Sequence, residues 1–187
     1  MELLNYDKSI IGSTGLAVGD FWRWAYSDIM SNRNRAVFGE FLIASAIGAA
    51  QKPRTEWDAV DVVYNKIKIE VKTAAYLQSW HQDKLSLIRF DLAKKKSWYA
   101  ETNTFSKEAT RPSDIYVFCL FTEKDKEKAD ILNLSQWEFY IIATTNLDKI
   151  MGDAKSISLN RLKELVIVVS YDQLKSKIDE CLRHFYD

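Results

Sequence analysis

Residues 57–72 read WDAVDVVYNKIKIEVK. This stretch constrains the fold more than any other, because two β-type runs are separated only by Asn65-Lys66. Residues 60–64 and 67–71 are rich in β-branched and aromatic side chains, which suit a pleated surface, and so short a separation predicts a hairpin. With Tyr64 opposite Ile67, antiparallel pairing sets Val63 opposite Lys68, Asp61 opposite Glu70 and Ala59 opposite Lys72. Ile67, Ile69 and Val71 alternate with Lys68, Glu70 and Lys72, so one face of the second strand is apolar and the other charged. Lys66 stands where glycine is usual, which leaves the turn type open. A four-residue loop keeps the same parity, whereas a three-residue loop shifts it by one and presents Asp58. Asp61 is the expected partner of Glu70, with Asp58 in reserve.

Opposed carboxylates repel by a few tenths of a kcal/mol or more unless something neutralises them. A divalent cation between Asp61 and Glu70 removes that objection. The alternative is an ordinary amphipathic strand whose Lys68, Glu70 and Lys72 form a solvated face, with Lys72 paired to a neighbouring acid. A second acid bears on the choice. Residues 36–50, AVFGEFLIASAIGAA, are apolar and helix-compatible, and Glu40 is the one charge among them. Phe38, Phe41, Leu42 and Ile43 surround it on the helical wheel, so it has no wide polar face to occupy. A carboxylate there must be protonated, paired or given a metal or bound water; pairing with Arg35 or another surface cation is the simplest of these.

The order is thus a helix with a buried-looking Glu, a strand with Asp, and a strand with Glu-x-Lys. It resembles the PD-(D/E)xK nuclease superfamily, the restriction-endonuclease-like fold, over roughly residues 35–121. The resemblance implies a three-layer α/β/α domain with a central mixed sheet flanked by helices. By position, Glu40 matches the acid of the first core helix, Asp61 the aspartate of the meander's second strand, and Glu70 with Lys72 the (D/E)xK pair of its third. Val60 replaces the family's proline. The run IEVKTAAYLQSW resembles nuclease segments in which a glutamine follows the lysine, making Gln78 a further candidate, although a surface or capping role for it is the plainer reading. The implied cofactor is Mg2+, with Mn2+ able to substitute. Its implied ligands are Asp61, Glu70, the backbone carbonyl of Val71, and Glu40 directly or through water. Magnesium takes oxygen ligands, keeps several waters and needs only one or two carboxylates, so these residue types suit it. Lys72 is implied to orient an attacking water and to stabilise developing negative charge.

The 187 residues, 47% of them hydrophobic, are enough for one domain with a sizeable core, and no Pro/Gly/Ser-rich linker divides them. A helical extension is expected at about residues 1–33, with a helix near 19–31. The start MELLNYDKSI lacks a signal-peptide pattern and no apolar run is long enough to span a bilayer, so a cytoplasmic protein without membrane association is expected. Cys119 and Cys181 read as buried apolar positions, and His81 and His184 lack a nucleophile or zinc-ligand spacing. Most of the six tryptophans read as core or contact anchors, with Trp80 worth watching beside Gln78.

Strands are expected at residues 86–92, 114–122 and 137–144, the second buried on both faces as a central strand. Residues 93–111 read as an irregular region. Short helices are expected at 146–151 and 159–165, a brief strand at 166–170, and a terminal helix over 171–185. Lys+Arg 26 against Asp+Glu 26 gives zero formal charge, so no global field draws in nucleic acid and any phosphate grip must be local. Candidates are Lys94-Lys95-Lys96 beside Trp98 and Tyr99, then Arg33 with Arg35, then Lys52 with Arg54.

These readings combine into a magnesium-dependent endonuclease-like hydrolase acting on DNA rather than RNA, able to pair as a homodimer to cut two strands. A non-catalytic binding protein that keeps the fold, and a metal-dependent hydrolase of another phosphate ester, are the alternatives.

Overall fold

Asn65 and Lys66 both adopt left-handed backbone conformations, with φ of 49° and 69°. Two consecutive positive φ values make the primed turn that matches the right-handed twist of a hairpin, which settles the turn type. The strands it joins, β1 (Val62–Tyr64) and β2 (Ile67–Ala75), pair antiparallel with Val62 opposite Ile69, Val63 opposite Lys68 and Tyr64 opposite Ile67. The register is therefore the one expected from the two-residue loop.

The computed structural model describes residues 2–12, 15–55, 60–96, 98–99 and 104–183. Asp58, Ala59, Trp57 and His184 lie outside the described residues. The hairpin is preceded by α1 (Val18–Tyr26) and α2 (Asn32–Ala46). Residues 2–12 and 15–17 are not helical, and Ser9 instead forms an isolated bridge with Ala17, so the helical part of the N-terminal extension is limited to α1. Asp20 accepts a hydrogen bond from the N–H of Ala17 at 2.9 Å and closes the first turn of α1. In α2, Ser31 caps the start by accepting from Asn34 N–H at 3.4 Å, and Gly48 just beyond the end takes φ +73°, the left-handed conformation that stops a helix.

The main sheet is mixed, in the order β1-β2-β6-β7. β6 (Ile115–Phe121) lies parallel to β2 and antiparallel to β7 (Trp137–Ala143), and all seven of its residues are buried, as its continuous apolar run demands. Between β2 and β6 run three short strands: β3 (Arg89–Asp91), β4 (Trp98–Tyr99) and β5 (Thr104–Phe105). After β7 come α3 (Thr144–Met151), β8 (Ser156–Ser158), α4 (Leu159–Leu165) and α5 (Leu174–Arg183). Asp114 aligns the start of the parallel pair: its carboxylate accepts from Lys68 N–H at 2.8 Å and its N–H donates to Lys68 C=O at 2.7 Å.

Helices flank both faces, giving a three-layer α/β/α arrangement. One core joins Leu42 and Ile43 of α2 and Leu174, Ile178 and Leu182 of α5 to Ile69, Val71, Val117, Cys119 and Phe139. The other joins Phe90, Ile157, Leu147 of α3 and Leu162 of α4 to Tyr116, Phe118, Leu120 and Tyr140. Cys119 is fully buried and its thiol is pushed far up by desolvation, in keeping with an inert apolar role. Among the described residues no helix is long and apolar enough to cross a membrane.

Three expectations need correction. The strand at 86–92 shrinks to β3, which pairs with β8 in a separate two-stranded sheet, because its partner comes from far along the chain. The irregular region 93–111 contains the β4–β5 hairpin and a bridge between Lys95 and Thr110. The brief strand at 166–170 reduces to one bridge from Val169 to Phe139, with Ile167 and Val168 left exposed, since the segment bends away to join α5.

α2 packs on β2 through Gly39, where a Cβ would overlap the Thr73 hydroxyl. Gly39→Ala gains up to about 1 kcal/mol of helix propensity but overpacks a stiff β-branched neighbour, typically about 1–3 kcal/mol. Overpacking wins, so urea unfolding of Gly39→Ala is expected to show a net loss of about 1–2 kcal/mol. In a Thr73→Ala background the same substitution is expected to be neutral or stabilising. A Gly39→Ala effect of equal size in both backgrounds would remove this contact as the cause.

Candidate active site

Asp61 stands one residue before β1, at the edge of the sheet, where the hairpin register continues to place it opposite Glu70. Its carboxylate accepts a hydrogen bond from Val71 N–H at 2.7 Å, doing the work of a backbone partner where β1 stops. The two main-chain polar groups of a strand residue point to the same side, so the Val71 carbonyl lies on this edge too. Glu70 and Lys72 sit on the other side of the pleat from Val71, sharing a face with their β6 neighbours Tyr116 and Phe118. The Lys72 ammonium contacts a Glu70 oxygen at 2.5 Å. Buried Ser113 donates its hydroxyl to the other Glu70 oxygen at 3.3 Å, and the Lys95 ammonium lies 3.9 Å from the oxygen that Lys72 holds.

The electrostatics follow from this crowding. Burial first, then repulsion from Glu70 and more weakly from Glu40, raises the Asp61 carboxyl from near 3.8 to about 6; the Val71 N–H and the Lys72 charge act the other way. Burial alone would lower Lys72, but the charge and hydrogen bond of Glu70, with Asp61 and Asp91 beyond, outweigh it and hold Lys72 above its ordinary value. Lys72 is therefore a cation at neutral pH, suited to meeting negative charge rather than to removing a proton.

Glu40 is buried, as its apolar setting required, but its partner is Arg54, not Arg35. Arg54 Nη2 donates to Oε1 at 3.1 Å and Nε to Oε2, a bidentate pair. Because α2 covers the Val71 face of the sheet, Glu40 approaches from the opposite side to Glu70 and Lys72, and Asp61 on the edge is the carboxyl that feels both acids. Among the described residues no three His, Cys, Asp or Glu side chains converge as a metal-holding group. Asp61, Glu70 and the Val71 carbonyl still offer hard oxygen donors of the kind a magnesium ion with several retained waters takes.

Gln78 is buried and its side chain is spent on structure. Its carbonyl accepts from Arg35 Nη2 at 3.0 Å, and its amide donates to Ala75 C=O at 3.1 Å and Ser86 Oγ at 3.0 Å. It ties the end of β2 to the first turn of α2. Arg35, one of the candidate phosphate contacts, is likewise buried, donating to Met30 C=O at 2.7 Å and to the Asn32 side chain. Trp80 is exposed. Lys94 pairs with Asp153 at 2.8 Å. The side chains of Trp98 and Tyr99 lie outside the described residues. Sequence reasoning did not foresee Ser113 and Asp91 near the site, nor Arg54 as the partner of Glu40. No spacing rule connects them to the hairpin, and only Arg54 carried a signal, as the nearest arginine downstream of the helix.

Comparison with protein-family models, with curated proteins and with solved structures gives no match, so the assignment of the site rests on this chain's own residues.

The raised Asp61 carboxyl has a stability consequence. Its folded-state value lies above the unfolded one, so its contribution is fully present below about pH 4, declines as pH rises, and is lost above about pH 6. Two pH units correspond to about 3 kcal/mol of destabilisation of the metal-free protein at neutral pH. Asp61→Asn, which can still accept from Val71 N–H, is expected to be more stable than the parent by about 1–3 kcal/mol at pH 7, the gap closing below pH 4. Urea titrations across that range check it; a gap independent of pH would rule out ionisation of Asp61 as its source.

Proposed function

We propose that this protein is a magnesium-dependent hydrolase that cleaves DNA phosphodiester bonds, with Asp61, Glu70, Val71 and Lys72 as its reacting edge. The observation that carries the reading is the Asp61 carboxylate held on the Val71 N–H at 2.7 Å, beside a Glu70–Lys72 pair at 2.5 Å. Two carboxylates and an ammonium thereby gather at the end of the hairpin away from its turn, largely covered, with Glu70 buried. A magnesium ion bound by Asp61, Glu70 and the Val71 carbonyl would polarise a phosphate and acidify a water. Lys72, cationic at neutral pH, orients that water and meets the negative charge that develops on phosphorus-bound oxygen. Ser113 holds the Glu70 carboxylate in place, and Glu40 with Arg54 sets the charge on the far side of Asp61. With zero formal net charge, DNA is gripped locally rather than drawn in from a distance.

The test is nicking of supercoiled plasmid DNA by the purified chain with magnesium or manganese, compared with Glu70→Ala and Lys72→Ala. Metal-dependent nicking lost in both variants supports the reading; activity retained in both rejects this site. One observation favours a second reading, a non-catalytic binding protein: Glu40 and Glu70 already carry basic partners in the fold. That reading predicts no manganese binding by calorimetry that depends on Asp61 or Glu70.

A further inference from the structure

Lys94, Lys95 and Lys96 are consecutive, yet the fold gives them different tasks. Lys94 is tied to Asp153 at 2.8 Å. Lys95 alternates to the opposite side and brings its ammonium to 3.9 Å from Glu70. Its main chain is fixed, with Lys95 N–H donating to Thr110 C=O and Thr110 N–H to Lys95 C=O, both at 2.9 Å. Its side chain is 61% exposed, so it stands on the rim of the carboxylate cluster with its charge in reach of an incoming molecule. The same Glu70 oxygen is already held by Lys72 at 2.5 Å. A second pair at 3.9 Å adds little to it, because the lysine is largely in water and gives up solvation to hold a distant oxygen.

We propose that Lys95 is a phosphate-binding residue of the site, which leaves Glu70 to contact a backbone phosphate of the nucleic acid beside the one being cut. The proposal rests on the nuclease reading of the preceding subsection and names the contact that seats its substrate. A lysine suits this task because its ammonium is a compact charge on a long stem, able to swing from one anion to another. The backbone bridge to Thr110 keeps the root of that stem still.

The experiment is fluorescence anisotropy of a labelled DNA duplex with the full chain in EDTA, where metal-dependent cutting is suppressed, over a series of salt concentrations. Each phosphate contact adds about 0.9 to the slope of log affinity against log salt. Lys95→Gln is expected to reduce that slope by about this amount, Lys95→Arg to restore it, and Lys96→Gln to leave the Lys95 contribution in place. A Lys95→Gln slope equal to that of the parent overturns the proposal, and if the parent nicks plasmid it does so while the nuclease reading stands. A reduced slope in a protein that never nicks DNA supports Lys95 as a phosphate contact and counts against catalysis. Failure of the parent to bind duplex at any salt also overturns the proposal, while the nuclease reading is decided separately by plasmid nicking with magnesium or manganese.

Discussion

Arg111→Ala is expected to remove about 3–5 kcal/mol of stability, a large share of the roughly 5–15 kcal/mol that holds a domain of this kind together. The side chain is fully inaccessible to solvent, and its guanidinium is the hub of four attachments. Nε donates to Leu92 C=O at 2.8 Å, Nη1 to Gly152 C=O at 2.9 Å and to the Asp148 carboxylate, and Nη2 to Ala154 C=O at 3.0 Å. These bonds tie the end of β3 to the turn between α3 and β8, extending the alignment that the β3–β8 ladder begins. Alanine would strand three carbonyls whose donors came from a single planar fork, at about 1–3 kcal/mol for each one left buried and unpaired, partly offset where water reaches them. Lysine supplies one point charge in place of the fork and is expected to recover less than half of the loss. Urea unfolding followed by circular dichroism measures it. A variant within about 1 kcal/mol of the parent would show that the hub is dispensable.

Lys72→Ala is expected to lower the rate of metal-dependent DNA nicking by about 100- to 10,000-fold, with most of the change in kcat. The direction follows from the charge: Lys72 is cationic, and a cation that meets negative charge forming in the transition state acts on the chemical step more than on substrate binding. Removing it also leaves Glu70 with Ser113 and the more distant Lys95 as partners, so the stability of the variant must be measured beside its rate. Lys72→Arg is the informative companion. Guanidinium keeps the charge but is broader than an ammonium held between Glu70 and the strand, so it is expected to restore stability more fully than rate. A Lys72→Ala variant that is folded and nicks DNA at the parent rate would end the assignment of this residue to catalysis.

The hairpin was legible because its information is local. Alternation of Ile67, Ile69 and Val71 with Lys68, Glu70 and Lys72, and a two-residue separation from the preceding run, allow one register that buries the apolar set, and that register is observed. The central strand was legible for a similar reason, since seven consecutive apolar residues leave no polar face to expose. The burial of Glu40 followed from its apolar neighbours along the helix. Its partner did not follow, because Arg54 reaches it from a segment beyond the end of the helix, where no short-range pattern links the two.

The same division separates what the chain determined alone from what its tertiary structure decided. Periodicity and turn length, which act over a few residues, placed Asp61 beside Glu70 and Lys72 and left a mixed sheet between helices as the way to cover both apolar faces. Packing between distant segments decided the rest: β3 paired with β8, Gln78 and Arg35 joined as a brace, Glu40 came to the far side of the sheet edge, and Lys95 came to its near rim. Those contacts depend on complementarity of shape and charge between surfaces that exist only once the layers have closed, and no short-range pattern of residues encodes them.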